Sequence, residues 1–239
     1  MRCFLLVLCA LITSTACASG GPGADPPGSW EQAVRSVYTE THNENDGEGV
    51  EKFSACFHAN GARCEPYAFG TRDLFRNVQI FMPGIDSSMS DAFGTYLQNY
   101  VSLIEGKRPV ILLSPYYFSK NGWIFMSGFS ILADGEVILQ KEFPGQHVDR
   151  NNHSYGVEER YTFIAKSAEI EALRKIPHSK KLSIRITGDK GYVNIKKDRM
   201  KNFKDEISNS LAIYDAFNAA IGALEPTRSA IESVAPEKK

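Results

Sequence analysis

The sequence predicts an α+β fold: an antiparallel sheet of about six strands with helices packed on one face. Three observations carry that reading. Period-two alternation of apolar and polar residues is concentrated between residues 110 and 195. Apolar residues at helical spacing flank that region on both sides. No repeat at solenoid or propeller periods runs through the 239 residues.

Taken in order, Ser29 reads as a helix N-cap with Gln32 completing a capping box. Trp30, Val34, Val37 and Tyr38 share one helical face, which predicts a helix to Glu40. The stretch His42–Glu48 is acidic and turn-rich. Val50, Phe53 and Phe57 predict a second helix over Val50–His58, ended by Gly61. Phe93, Leu97, Tyr100, Val101 and Ile104 predict a third, starting at Ser90 and stopped by Gly106 and Pro109.

The period then changes. Val110–Phe118, Trp123–Ala133 and Glu136–Phe143 are separated by Asn121-Gly122 and Asp134-Gly135, which predicts a three-stranded meander. Pro115 predicts that the first strand lies at an edge or ends early. Residues 144–157 form a polar loop, and Glu159, Tyr161, Phe163 and Ala165 alternate along a fourth strand. A short helix, Ala168–Ile176, is capped by Ser167 and ended by Pro177. Leu182, Ile184 and Ile186 alternate with polar residues, and a Gly188–Gly191 turn leads into Tyr192–Ile195. The last helix is the clearest, with Asp198 as cap and a stripe of Met200, Phe203, Ile207, Leu211, Tyr214, Phe217 and Ile221.

The N-terminus predicts an address. Arg2 precedes an apolar run from Phe4 to Ile12, then small residues, the order of a secretory signal peptide over residues 1–16. The run is too short to span a bilayer core of about 30 Å. Ser14-Thr15-Ala16-Cys17 resembles the lipobox of bacterial lipoproteins, with Ser14 where that pattern prefers Leu. The resemblance covers residues 14–29 and implies acylation of Cys17, palmitate included, with Ala18 pointing to the outer membrane. Residues 17–28, rich in Gly and Pro, read as a flexible tether, and 225–239 as a disordered tail after a single domain at 29–224. Alternatively, Ala16-Cys17-Ala18 is a signal-peptidase site that releases a soluble secreted protein. A eukaryotic secreted protein glycosylated at Asn152 is a third possibility.

Cysteine counting agrees with export. Cys3 and Cys9 leave with the signal and Cys17 takes the lipid, so Cys56 and Cys64 remain as an even pair for a disulfide. The alternatives for that pair, with His58, are a thiolate–imidazole couple or part of a zinc site.

Near-neutral charge, −1 overall, argues against a dedicated nucleic-acid binder. The chain contains no G-x-S-x-G, no phosphate-cradling loop and no H-E-x-x-H, and no cofactor is predicted. His147, Asp149 and His153 could make a facial metal site in the polar loop, the basis of an alternative reading as a periplasmic metal-dependent hydrolase. Tyr116, Tyr117, Phe118, Trp123 and Phe125 straddle the Asn121-Gly122 turn as core pairs or as a ligand-stacking platform.

Charge is segregated along the chain. Residues 174–204 hold eleven basic residues against two acidic ones, while residues 31–51 hold six acidic against one basic. The basic residues are either solvated or paired with the acidic segment, or they are a recognition surface; Lys181, Arg185, Lys196, Lys197, Arg199 and Lys201 are the candidates for contact. The resulting expectation is a non-enzymatic binding protein, lipid-anchored to the outer membrane and facing the periplasm. It would recognise a protein partner, acidic in character, in an inhibitor (immunity-type) or envelope-maintenance role.

Overall fold

A computed structural model of the chain describes residues 29–45, 47–57, 66–83 and 94–224. The polypeptide is richer in strand than its sequence predicts. Among the described residues there are thirteen strands in two antiparallel sheets, one of nine and one of four, with three α-helices.

The first helix, α1 (Trp30–Arg35), is capped by Ser29, whose hydroxyl accepts the Gln32 N–H. It ends five residues earlier than its apolar spacing predicts. Tyr38 opens a strand instead, β1 (Tyr38–Asn45), which pairs with β2 (Val50–Phe57). A strand therefore stands where a helix is expected over Val50–His58. Phe53, Ala55 and Phe57 are all buried at period two. Small partners make room for the rings. Gly70 faces Phe53 across the register, and a Cβ there would come within 2.2 Å of the Phe53 ring.

β3 (Tyr67–Asp73), β4 (Val78–Pro83), β5 (Tyr96–Ile104) and β6 (Val110–Ser119) continue the meander. β5 is the second correction, because the stripe from Phe93 to Ile104 is not helical where it is described. Leu97, Asn99, Val101 and Leu103 point to the buried side, and the polar Asn99 hides that alternation in the sequence. Its carboxamide oxygen accepts the hydroxyl of Ser210 from the last helix.

Asn121-Gly122 does not close a hairpin. β6 pairs with β5, with β10 (Gly156–Arg160) and with β11 (Phe163–Ile164), whereas β7 (Met126–Ala133) belongs to the other sheet. The chain crosses between sheets at residues 120–125. Pro115 is thus not on an edge strand. Asp134-Gly135 does turn β7 into β8 (Glu136–Glu142), with φ of 50° and 93° at the two positions. The loop at 144–157 is partly strand, because β9 (Asp149–His153) pairs with β10 at the rim of the large sheet.

The small sheet has the order β13-β12-β7-β8, with β12 at Leu182–Gly188 and β13 at Gly191–Asn194. Helix α2 (Ser167–Lys175) sits beside β8. Its cap is Lys166, whose N–H is closed by Glu169, rather than Ser167. Helix α3 (Lys197–Gly222) is capped by Lys196 backbone, and Asp198 lies in its first turn.

The α3 stripe serves two cores. Met200, Phe203, Ile207 and Leu211 pack with the inner faces of β5–β8 and β12 and with α2. Ile213, Phe217 and Ile221 pack with α1 and β1–β5. In that second core Tyr38, Phe53, Phe57, Phe81 and Phe217 contact one another at centroid distances of 5.1–6.1 Å, mostly edge to face. No described helix is long and apolar enough to cross a membrane.

Candidate functional site

The strongest candidate surface is basic and has two parts, the outer face of β12 and the head of α3, the helix that packs against the inner face of that strand. Ile184 and Ile186 are buried, so strand alternation turns Ser183, Arg185 and Thr187 outward. Lys181 precedes β12 and is exposed, as are Lys196 and Lys197 at the head of α3. Arg199 lies with its guanidinium 5.7 Å from the Tyr96 ring centre. Lys201 follows in the same helix. Three cations around a helix N-terminus oppose the macrodipole, which favours anions there. Helix stability does not account for them.

The acidic segment is neutralised locally rather than by this surface. Arg72, from β3, grips both Glu40 and Glu51, the latter at 2.6 Å, and lies over the Phe53 ring. Glu31 pairs with Arg35 and Glu44 with His42. Arg174 pairs with Asp215 and Glu171 and Lys175 with Glu136, whereas Lys181, Lys196 and Lys197 form no ion pair among the described residues. The two charged segments do not meet in any ion pair among the described residues.

The structure does not bring His147, Asp149 and His153 together. His147 is exposed on a single 3₁₀ turn. Asp149 and His153 stand at opposite ends of β9, roughly 13 Å apart at the rise of a strand. No group of three potential metal ligands occurs among the described residues.

His153 instead approaches a neighbour that the sequence does not single out. Its buried Nε2 lies 3.3 Å from Glu158 Oε2 without hydrogen-bond alignment. Glu158 also accepts Asn151 Nδ2 at 2.7 Å and the Tyr116 hydroxyl at 3.0 Å. Burial raises the Glu158 carboxyl, but Asn151, Tyr116 and His153 outweigh it and hold it below its ordinary value. Burial, then the bond to Glu158, pushes the Tyr116 phenol well above its ordinary range. A proton-transfer pair working near neutrality needs both groups drawn toward pH 7. These two are driven apart, so the arrangement pins the β9–β10 hairpin to β6.

Glu159, which the sequence marks only as a strand position in phase with buried Phe163 and Ala165, is a second polar centre. It is wholly buried. Its carboxylate accepts the consecutive N–H groups of Ile124, Phe125 and Met126 at 2.7–2.9 Å, and Arg150 Nε at 3.2 Å. The donors converge because Phe125 has φ of 55°, the curl of an anion-holding backbone nest. Lys190 and Arg150 lie 4.6 and 5.7 Å from the Phe125 ring centre.

The aromatic group around residues 116–125 is divided by this crossing. Tyr117 enters the core and donates to Gly122 O at 3.0 Å, while Tyr116 stacks on Tyr96 at 4.5 Å. Phe118 tilts against Tyr155. Cys56 is buried at the end of β2 and is not a free thiol. Cys17, His58, Cys64 and the segments 1–28 and 225–239 lie outside the described residues.

No protein-family model matches this chain, and no curated protein matches it. Among solved structures, the MHC-like MILL2 aligns with 61% of this chain and 66% of its own, just under two thirds, at 10% identity and a TM-score of 0.24. A likeness at that level carries no conclusion about fold or role.

Proposed function

We propose that this chain is an exported, lipid-anchored binding protein of the bacterial envelope, without catalytic activity, that holds an acidic protein partner. The contact surface is formed by Lys181, Arg185, Lys196, Lys197, Arg199 and Lys201. One observation carries the reading. The acidic N-terminal segment is met by Arg72 and by its own neighbours, so Lys181, Lys196 and Lys197 keep their field for an acidic partner. An inhibitor that shields the cell from a toxic enzyme fits such a surface, and so does an envelope-maintenance factor. In this reading the anchor is acylated Cys17, the tether is residues 17–28, and Cys56 pairs with Cys64. The separation of His147, Asp149 and His153 supports binding over metal-dependent hydrolysis.

The test is capture from envelope extract by the whole processed protein, at low and high salt. One acidic protein is expected at low salt and is released at high salt. The Lys181→Glu/Lys196→Glu/Lys197→Glu variant binds it at least about tenfold more weakly, roughly 1.4 kcal/mol. Retention unchanged by charge reversal overturns the reading. Intact mass and fractionation test the address separately: the native chain carries acyl groups in the membrane fraction, and Cys17→Ser loses both.

A further inference from the structure

The outer face of the small sheet contains a site more specific than a basic surface. β7 and β12 contribute small residues to its floor, Gly128, Ser130 and Thr187, in a trough of about 580 Å³. Val137, Gln140 and Glu142 border it from β8, and Arg185 from β12.

Arg185 is held before any ligand arrives. Its guanidinium stacks on Tyr192, 4.0 Å from the ring centre, and its Nε donates to Asn194 Oδ1 at 3.0 Å. Neither Nη has a hydrogen bond or ion pair among the described residues. A guanidinium fixed in this way and left with one edge unused matches a carboxylate. Two apolar side chains stand on the same outer face. Leu132 and Val137 are cross-strand neighbours, exposed to 38% and 53%, and Tyr192 is exposed to 59%. Arginine and tyrosine are enriched at interface hot spots, and the exposed aliphatic pair beside them offers apolar surface to bury.

The register fixes their spacing. Arg185 faces Ser130 across the ladder, and Leu132 lies two residues further along β7. Arg185 and Leu132 are thus diagonal neighbours, about 7–8 Å apart, close to the spacing of same-side side chains at positions i and i+2 of an extended peptide. Glu142 on the rim opposes ligands of higher negative charge, so one carboxylate is favoured over a phosphate.

We propose that this trough binds an extended segment of the partner carrying Asp or Glu two residues from a large aliphatic side chain. The carboxylate lies on Arg185, and the aliphatic group lies on Leu132 and Val137. The proposal deepens the acidic-partner reading and rests on it.

The test uses the whole chain and short labelled peptides, blocked at both ends, followed by fluorescence anisotropy. An Asp-x-Leu peptide binds, and Asn-x-Leu binds at least about tenfold more weakly. Arg185→Gln and Arg185→Lys each weaken Asp-x-Leu by a similar factor, because lysine lacks the planar fork. Their thermal unfolding stays that of the native protein, since the side chain is exposed. Leu132→Ser weakens Asp-x-Leu but leaves Asp-x-Ser unchanged. Equal binding of the Asp and Asn peptides, an Arg185→Gln variant that binds like the native chain, or a phosphoserine peptide that binds more tightly than Asp each overturns the site. If the peptides fail to discriminate while charge reversal at Lys181, Lys196 and Lys197 still abolishes capture, only the trough falls. If capture also survives charge reversal, the broader reading falls with it.

Discussion

At the scale of single residues, Glu206 on α3 makes stability depend on pH. Burial lifts its carboxyl from an ordinary 4.5 to about 7, Arg199 opposes the rise and Asp205 adds to it. The folded chain therefore binds more protons than the unfolded chain between those two values. Stability is fully present below about 4.5 and falls as pH rises through about 7. Glu206→Gln keeps the position neutral at every pH. The variant is expected to exceed the native protein at pH 8 by roughly 1–3 kcal/mol and to match it near pH 4.5. Urea unfolding at the two pH values measures this, and parallel pH profiles for the two proteins contradict it.

At the scale of elements, the crossing from β6 to β7 hangs on Glu159. Three backbone N–H groups and Arg150 converge on one buried carboxylate. Removing the acceptor leaves the Ile124 and Met126 N–H groups buried and unmatched and Arg150 with Gly145 O alone, so Glu159→Ala is expected to cost about 3–5 kcal/mol. Hydrogen exchange identifies the cause, with protection lost first at Ile124–Met126. If those amides stay protected, the strap is not what holds the crossing. The same crossing shows why part of the fold was not legible in the sequence. Asp134-Gly135 turned as expected because its neighbours pair locally, whereas Asn121-Gly122 carries an equal local signal and is overruled by β10 pairing with β6. α2, β12, β13 and α3 were legible because their apolar periods are unbroken. β2 and β5 were not. Their inward rows contain Glu51 and Asn99, and what matches those polar groups, Arg72 and Ser210, lies far away in sequence. The basic residues were legible by composition, but the stacking of Arg185 on Tyr192 depends on a hairpin register that spacing alone does not give.

At the scale of the whole molecule, α3 is the member common to both cores, and this dictates how the protein unfolds. Ile207 is buried among the small sheet and α2, and Phe217 among the rings of β1–β4. Ten helical residues separate them, about 15 Å along the axis. A helix that loses one half of its packing cannot keep the other half in register, so the two cores should melt together. Ile207→Ala and Phe217→Ala are each expected to cost about 2–5 kcal/mol, and the costs should add to within about 0.5 kcal/mol. The two tryptophans provide separate reporters. Trp30 packs on the α1–α3 core and donates to Lys107 O, while Trp123 lies at the crossing beside the other core. In Trp30→Phe and Trp123→Phe backgrounds, the surviving tryptophan should report one shared midpoint, and Ile207→Ala should lower the Trp30 transition as much as the Trp123 transition. Separate midpoints would mean that α3 lies across two independent units rather than joining them into one cooperative fold.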